Sequence, residues 1–417
     1  MIPKPLALRI LRSISAKPAP GAAFKGGGEG GIPQRQRFSR NGLIQKACER
    51  LFSKNIFSGF RYNKKQSLIM SLTKAQALEL FESDDLIGIG MEADAVRRKL
   101  HPEGTVTYII DRNINYTNFC TEYCTFCAFY RPLKGPAAKE GYILDFETIY
   151  DKIRETVELG GTGVLMQGGL HPDLKIDWHE KMLRGIKERF PQVHLHCYSA
   201  SEIIAIAEYS ALSIRDTILR LRDAGLDSIP GGGAEILDDE VRYKIARLKC
   251  LTADWINVHR TAHQIGMRTT ATMMFGVGEN VEHRINHLQA LYDLQEETGG
   301  FTAFIPWSFQ PQHTALGGRH WDEATAVEYL KVLAISRLYL SNFLNVQSSW
   351  VTQGLKVCQM GLRFGGNDVG SVMLEENVVR AAGVTNCTTE EELRRIIRDA
   401  GFRPAQRDTL YRQYFLN

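Results

Sequence analysis

The sequence has no uninterrupted apolar run approaching the roughly 20 residues that a membrane-spanning helix needs, which excludes helical membrane insertion. It has no strong excess of either charge: 51 Lys and Arg stand against 47 Asp and Glu, for a formal net charge of +4. It lacks a second Cys-x-x-Cys pair and any Ser/His/Asp or Cys/His signature of nucleophilic catalysis. What is there is ordinary globular composition, 44% hydrophobic and 24% charged over 417 residues, neither fibrous nor disordered as a whole. The length suits two or three small domains or one large α/β barrel.

Acidic residues are scarcest at the front. Residues 1–69 hold fourteen Lys and Arg against only Glu29 and Glu49, in Gly/Pro/Arg-rich text such as Gly26-Gly27-Gly28-Glu29-Gly30-Gly31. Such text lacks the apolar periodicity to bury a core. Three readings stand: a targeting peptide, a basic tail touching anionic surfaces, or translation from Met70; the third is favoured, or else a disordered extension over residues 1–69 that does no chemistry. No secretory apolar stretch is present. The rest carries 37 basic and 45 acidic residues, so nothing in it reads as a nucleic-acid surface, and the body reads as cytoplasmic.

From Thr105 onward, short β-branched runs alternate with amphipathic stretches. Strands are expected at Val106–Asp111, Gly163–Gln167, Val193–Tyr198, Ser228–Ile229, Thr269–Phe275, Thr302–Pro306, Asn345–Ser348 and Leu362–Gly365. Ile149, Ile153 and Val157 mark a helix stopping at Gly160, and Thr389 with Glu392 caps another carrying Leu393, Ile396 and Ile397. Eight strand–helix units predict a (β/α)8 barrel, with a partial barrel of six units as the alternative because the fourth and eighth strands are short. The expected division is an extension over 1–69, a helical segment over 70–105, the barrel core over 106–343, and strands and helices completing the barrel over 344–417. Glu202, Glu235 and Glu279 recur just after strands, where a barrel gathers its loops at one mouth.

Cys120, Cys124 and Cys127 are clustered in Cys120-Thr121-Glu122-Tyr123-Cys124-Thr125-Phe126-Cys127, whereas Cys48, Cys197, Cys250, Cys358 and Cys387 are isolated. Three thiolates on one short loop are poor material for a disulfide framework, and a zinc site would want a fourth ligand nearby. Three cysteines suit a [4Fe–4S] cluster with one iron left open to an exogenous ligand. His194 and His196 alternate on the third strand and read as satisfied polar residues of the barrel interior.

This loop, Cys-x-x-x-Cys-x-aromatic-Cys after a first strand, resembles that of the radical S-adenosylmethionine (SAM) superfamily. The resemblance implies that Cys120, Cys124 and Cys127 ligate the cluster and that the open iron binds SAM, whose reductive cleavage gives a deoxyadenosyl radical. It further implies that Phe126 packs on cluster or adenine and that Gln167, Gly168 and Gly169 hold the methionine amino group. Ser199 and Glu202 would meet the ribose, and Gly276 and Gly278 would lie beside the adenine. Further along, Arg112-Asn113-Ile114-Asn115-Tyr116, Gly231-Gly232-Gly233-Ala234-Glu235, Ser349-Trp350-Val351-Thr352-Gln353-Gly354 and Arg363-Phe364-Gly365-Gly366-Asn367-Asp368 are similar to the menaquinone and deazaflavin branch. That branch implies a radical reaction on a small molecule such as dehypoxanthine futalosine, fed by a reducing donor such as flavodoxin or ferredoxin. A base for a final proton is expected among Glu235, Glu279 and Asp368. Trp307, Gln310, Trp350, Arg363 and Asn367 are the expected substrate contacts.

Overall fold

The computed structural model describes residues 71–319 and 322–414, so the basic front end and its three readings lie outside the described residues. Thr73 opens helix α1 (Lys74–Glu82), its hydroxyl accepting from the Gln76 N–H while the Gln76 side chain accepts from the Thr73 N–H. That exchange satisfies two amides that a helix start leaves without partners. Helix α2 (Leu86–Leu100) follows, and then a first strand broken into β1 (Thr105–Ile109) and β2 (Asn113–Ile114). From there α3 (Phe146–Glu158), β3 (Gly163–Met166), α4 (Ile176–Arg189), β4 (His194–Cys197), α5 (Ala200–Tyr209), α6 (Ile214–Ala224) and β5 (Ser228–Ile229) succeed one another. Next come α7 (Asp239–Ile245), α8 (Thr252–Gln264), β6 (Arg268–Phe275), α9 (Val281–Thr298), β7 (Phe301–Ser308), α10 (Ala326–Tyr339) and β8 (Asn345–Val346). The described chain finishes with α11 (Gly354–Gly361), β9 (Asp368–Ser371), α12 (Val378–Ala381), α13 (Glu390–Asp399), β10 (Arg403–Arg407) and β11 (Gln413–Tyr414).

Strands β2 to β8 pair in parallel in sequence order, and β9, β1, β10 and β11 make a second ladder. The two ladders are joined. A bridge between Gln347 and Asp368 links the end of β8 to β9, β9 pairs in parallel with β1, and β1 runs on toward β2. With β1 and β2 taken as one broken strand, the ring is a (β/α)8 barrel. Strand β10 takes along β1 the edge that β3 takes along β2, with Thr105 opposite Arg403, and β11 pairs antiparallel to β10.

The eighth strand corrects the expectation. Leu362–Gly365 is not a strand: the N–H groups of Leu362, Arg363 and Phe364 return to the carbonyls of Gln359, Met360 and Gly361, continuing the turn of α11. Gly365 then reverses the chain at φ +96°, where a Cβ would come within 2.8 Å of the Arg337 side chain. The strand begins three residues later, at Asp368. Alternating Leu362 and Phe364 are buried because the turn packs inward, not because they alternate across a pleat.

Two apolar clusters fill the fold. The larger surrounds the barrel wall; the smaller joins Val106, Tyr108, Trp350, Val369, Leu393 and Phe402 beneath β1, β9 and α13. The floor of the barrel is polar. Asp368 accepts from Arg407 Nε at 2.5 Å and Nη2 at 2.9 Å, and from Thr107 Oγ1 at 2.5 Å. With both partners buried, the pair is held by fork geometry and not by exposure to water.

Beside this pair Asp111 accepts from Ser371 Oγ. Burial pushes its carboxyl up to about 6, against the Ser371 hydrogen bond and the nearby Arg407 charge. The folded chain therefore binds this proton more tightly than the unfolded chain, where a carboxyl titrates near about 4. The stabilisation is fully present below about pH 4 and is lost as pH rises through about 6. Asp111→Asn should remove that decline. The wild-type minus variant difference in urea unfolding free energy should fall by on the order of 2–3 kcal/mol across this window, and a flat difference would refute the assignment.

Candidate active site

The loop after β2 carries the three cysteines and is closed on itself. Cys120 N–H donates to the Arg131 carbonyl at 3.0 Å, and Arg131 N–H donates to the Asn118 carbonyl at 2.7 Å. The Arg131 guanidinium then collects the carbonyls of Ala128, Phe129 and Tyr130. Thr125 fastens the middle of the loop to α7, both its N–H and its hydroxyl donating to the Ile245 carbonyl. Cys124 is buried, Cys120 and Cys127 are half-buried, and Phe126 packs against the main core. Burial pushes the Cys124 thiol well above its ordinary value, and Cys120 and Cys127 are raised for the same first reason.

Gly168 and Gly169 lie directly against this loop. A Cβ on Gly168 would stand 2.7 Å from the Tyr116 ring, and one on Gly169 would overlap the Phe119 carbonyl and reach 2.9 Å from the Cys120 Cβ. Glycine is required here by close backbone approach. The Gly169 N–H donates to the Thr117 carbonyl at 2.9 Å. The Gly168 N–H donates to Glu202 Oε1 at 2.8 Å, and Tyr116 Oη donates to the same oxygen at 2.6 Å. Glu202 Oε2 in turn accepts from the Ser199 N–H at 2.6 Å and hydroxyl at 2.8 Å. Ser199 and Glu202 are thus the capping box of α5, and one carboxylate ties together the loops after three successive strands. Burial raises the Glu202 carboxyl even so.

Behind the cysteine loop sits a buried ion cluster that the sequence motifs do not announce. Lys249 Nζ lies 2.9 Å from Glu122 Oε2 and 3.5 Å from Glu235 Oε1. Burial alone would lower the ammonium's pKa, but Glu122, the Cys124 sulfur and Glu235 outweigh it and hold it well above its usual value. Glu235 follows the Gly231-Gly232-Gly233 turn and takes φ +40°, an unusual angle for a residue with a side chain.

The other expected residues divide between the mouth and elsewhere. Trp307 is half-buried near the end of β7. Gln310 is placed just after it, its amide donating to Ser308 Oγ at 3.2 Å, and Gln353 donates to the same hydroxyl at 2.5 Å. Gly276 and Gly278 take φ +83° and +94° in the turn after β6. Glu279 is tied in that turn: it accepts from the amides of Gly276 and Val277 and pairs with Arg284 at 2.7 Å, its side chain fully buried. Trp350 is core, its Nε1 donating to the Ser371 carbonyl at 2.9 Å.

Arg363, Asn367 and Asp368 depart from the mouth altogether, because the eighth strand begins later than its pattern suggested. Arg363 stacks on Phe402 and donates to the Ala400 carbonyl. Asn367 is buried where β8 begins, bonded to Arg337, Val346 and Asn345. Asp368 belongs to the floor pair with Arg407. His194 and His196 both meet Ser228 Oγ, and burial lowers His196 to about 3, so it stays neutral.

The donor set fits an iron–sulfur cluster. Among the described residues no three His, Cys, Asp or Glu side chains are placed to hold one metal ion. A cluster asks something different, one thiolate to each of three irons, from a loop that is shielded and rigid. Arg131, Thr125 and the Gly168-Gly169 contact supply that rigidity, and the Glu122 N–H donates to Cys120 Sγ at 3.5 Å.

Residues 114–291 match the radical SAM superfamily, and residues 298–416 match the CofH/MqnC C-terminal region. The chain belongs to the radical SAM superfamily, whose members bind a [4Fe–4S] cluster and SAM, and it is an enzyme of that class. Within it, the chain is similar to the cyclic dehypoxanthine futalosine synthase of Halalkalibacterium halodurans, 50% identical over 82% of this chain and 90% of the relative. The synthase of the same name from Streptomyces coelicolor is 44% identical over 82% of this chain and 85% of its own length. The 5-amino-6-(D-ribitylamino)uracil–L-tyrosine 4-hydroxyphenyl transferase of Methanothermobacter thermautotrophicus is 41% identical over 82% of this chain and 94% of its own length. Two solved structures share the fold. They are methylornithine synthase (TM-score 0.64, 19% identity, covering 81% of this chain and 96% of that one) and the FeFe-hydrogenase maturase HydG of Carboxydothermus hydrogenoformans (TM-score 0.65, 14% identity, covering 89% and 82%). No helix among the described residues is long and apolar enough to cross a membrane.

The tight glycine contact generates a prediction. Gly169→Ala should force the cysteine loop off its seat at a cost of about 1–3 kcal/mol and reduce iron bound per chain after anaerobic reconstitution. Iron content and cluster absorbance equal to wild type would show that the loop has slack that the geometry does not suggest.

Proposed function

We propose that this enzyme converts dehypoxanthine futalosine to its cyclic form, a step of menaquinone biosynthesis. The observation that carries the reading is the gradient of similarity. Over 82% of the chain in each case, identity is 50% and 44% to two synthases of this name and 41% to the tyrosine transferase.

When bound, the cluster and SAM supply a one-electron cleavage that ends in removal of a hydrogen atom from the substrate. The hydrogen comes from the 4′ carbon of the ribose. The carbon radical so formed adds to the benzoate ring, and the adduct then gives one proton to a base and one electron to a one-electron acceptor, for which the oxidised cluster would serve, so aromaticity returns and the product is lighter by two hydrogens. No nucleophile is needed, consistent with a mouth lined by amides, hydroxyls and aromatic rings.

The chain's own residues hold and shield. Cys120, Cys124 and Cys127 carry the cluster on a loop pinned by Arg131, Gly168 and Gly169. The Gly168 and Gly169 N–H groups are already engaged by Glu202 and Thr117, which leaves their carbonyls to accept from the methionine ammonium. Trp307 offers ring surface, and Gln310 with Gln353 offers amide groups at the strand ends. Of the three carboxylates expected to take the final proton, Glu235 is the one beside the cysteine loop; Glu279 and Asp368 are held by Arg284 and Arg407. The reaction would take place in the cytoplasm, with an electron supplied by a flavodoxin or ferredoxin.

The transferase reading is the second, supported by 41% identity. One experiment separates the two. Reconstituted enzyme is incubated anaerobically with dithionite, SAM and either dehypoxanthine futalosine or L-tyrosine with the ribitylaminouracil. A product two hydrogens lighter than dehypoxanthine futalosine, with equal 5′-deoxyadenosine, is expected and should vanish in Cys124→Ala. Product only from tyrosine and the uracil would replace the cyclase with the transferase.

A further inference from the structure

Apart from Glu235 as a candidate for the final proton, the ion cluster behind the cysteine loop has no part in the reaction proposed above, yet it touches the loop at a ligand. Glu122 lies between the first two cysteines, and its Oε2 is 3.7 Å from Cys124 Sγ. The same oxygen is 2.9 Å from Lys249 Nζ, which also lies 3.5 Å from Glu235 Oε1. The side chains of Lys249, Glu122 and Glu235 are 11%, 9% and 7% exposed, so solvent and salt screen them weakly. Two carboxylates share one ammonium. The group as a whole carries one negative charge against a cluster site.

We infer that Glu122, Lys249 and Glu235 act together as a charge triad that sets the reduction potential of the cluster held by Cys120, Cys124 and Cys127. The physical basis is simple. Reduction adds one electron, taken from the reductant, and makes the cluster more negative by one unit. A fixed negative charge nearby makes that step less favourable, and a fixed positive charge makes it more favourable. Lys249 tempers the two carboxylates, and it also draws the Glu122 side chain to a fixed place beside Cys124. The segment Leu248–Leu251 that carries Lys249 is anchored for this purpose: Arg242 donates to the Cys250 carbonyl at 2.9 Å from Nε and at 2.6 Å from Nη2. Glu122 and Lys249 are positioning residues, since neither is required to touch the substrate, and the effect of Glu235 on the potential is separate from any part it takes in the final proton.

The test reads potential and needs no organic substrate, so it is independent of whether the cyclase or the transferase reading holds. Wild type, Lys249→Gln, Lys249→Arg, Glu122→Gln and Glu235→Gln are reconstituted anaerobically, assayed for iron, and titrated with dithionite while the reduced cluster is followed by electron paramagnetic resonance. Lys249→Gln should move the midpoint to a more negative potential and Glu122→Gln and Glu235→Gln to a more positive one, with Lys249→Arg close to wild type. Should Lys249→Gln load iron poorly, the two glutamate variants, which remove a charge and keep the shape, carry the test. Unchanged midpoints in iron-replete variants, or shifts of the same sign for Lys249→Gln and Glu122→Gln, would overturn the inference. Loss of the cluster from all four variants would also overturn it, leaving the triad as structural support alone.

Discussion

The loops after the first three strands of this barrel are registered against the carboxylate of Glu202. It is buried, and its two oxygens are shared among Tyr116, Gly168 and Ser199, which belong to the loops after the first, second and third strands. A buried carboxylate is costly unless it is fully hydrogen-bonded, and a fully bonded one fixes its partners in return. The loop bearing the cysteines, the glycine pair it rests on and the start of α5 are therefore one rigid unit. Rigidity matters here because three sulfurs must meet three irons without the loop rearranging around them.

The barrel separates its polar groups by height. At the floor, Arg407 and Thr107 bond to Asp368 and close the lower end with paired charge, and Asp111 bonds to Ser371 beside them. At the mouth, Lys249 and two glutamates sit behind the cysteine loop, and the amides of Gln310 and Gln353 meet at Ser308. His194 and His196, at the start of β4, are settled on Ser228, and burial lowers the pKa of both. Charge that stabilises and charge that surrounds the chemistry are kept at opposite ends.

Much of this was legible in the sequence where the signal is local. The spacing of Cys120, Cys124 and Cys127, the alternation of strand and helix, and the Thr389 cap all depend on neighbours within a few residues. What failed to show was set by partners far along the chain. Leu362–Gly365 alternates like a strand, but Arg337 and the end of α11 make it a turn, and that displacement took Arg363, Asn367 and Asp368 away from the mouth. Asp368 looks like a free acid until Arg407 is placed beside it, and Glu279 until Arg284 is. Lys249 has no motif at all. The only hint was a charged Glu122 inside a loop that must be buried, a charge that calls for a partner.

The pairing of β1 with β10 also bears on how the protein is made. Thr105 and Arg403, side by side in that pair, are 298 residues apart in the chain. The cysteine loop thus leaves the ribosome when β9, which closes the ring against β1, and β10, which flanks the other edge of β1, have yet to be synthesised, and both pairings are among the last contacts to form. Until the later elements are in place, the loop also lacks its bonds with Ile245, Lys249 and Leu316, and its three thiols are open to oxygen. Assembly of the cluster is in this sense a race between closing a ring and losing its ligands, and the order of translation gives the ligands the longer wait.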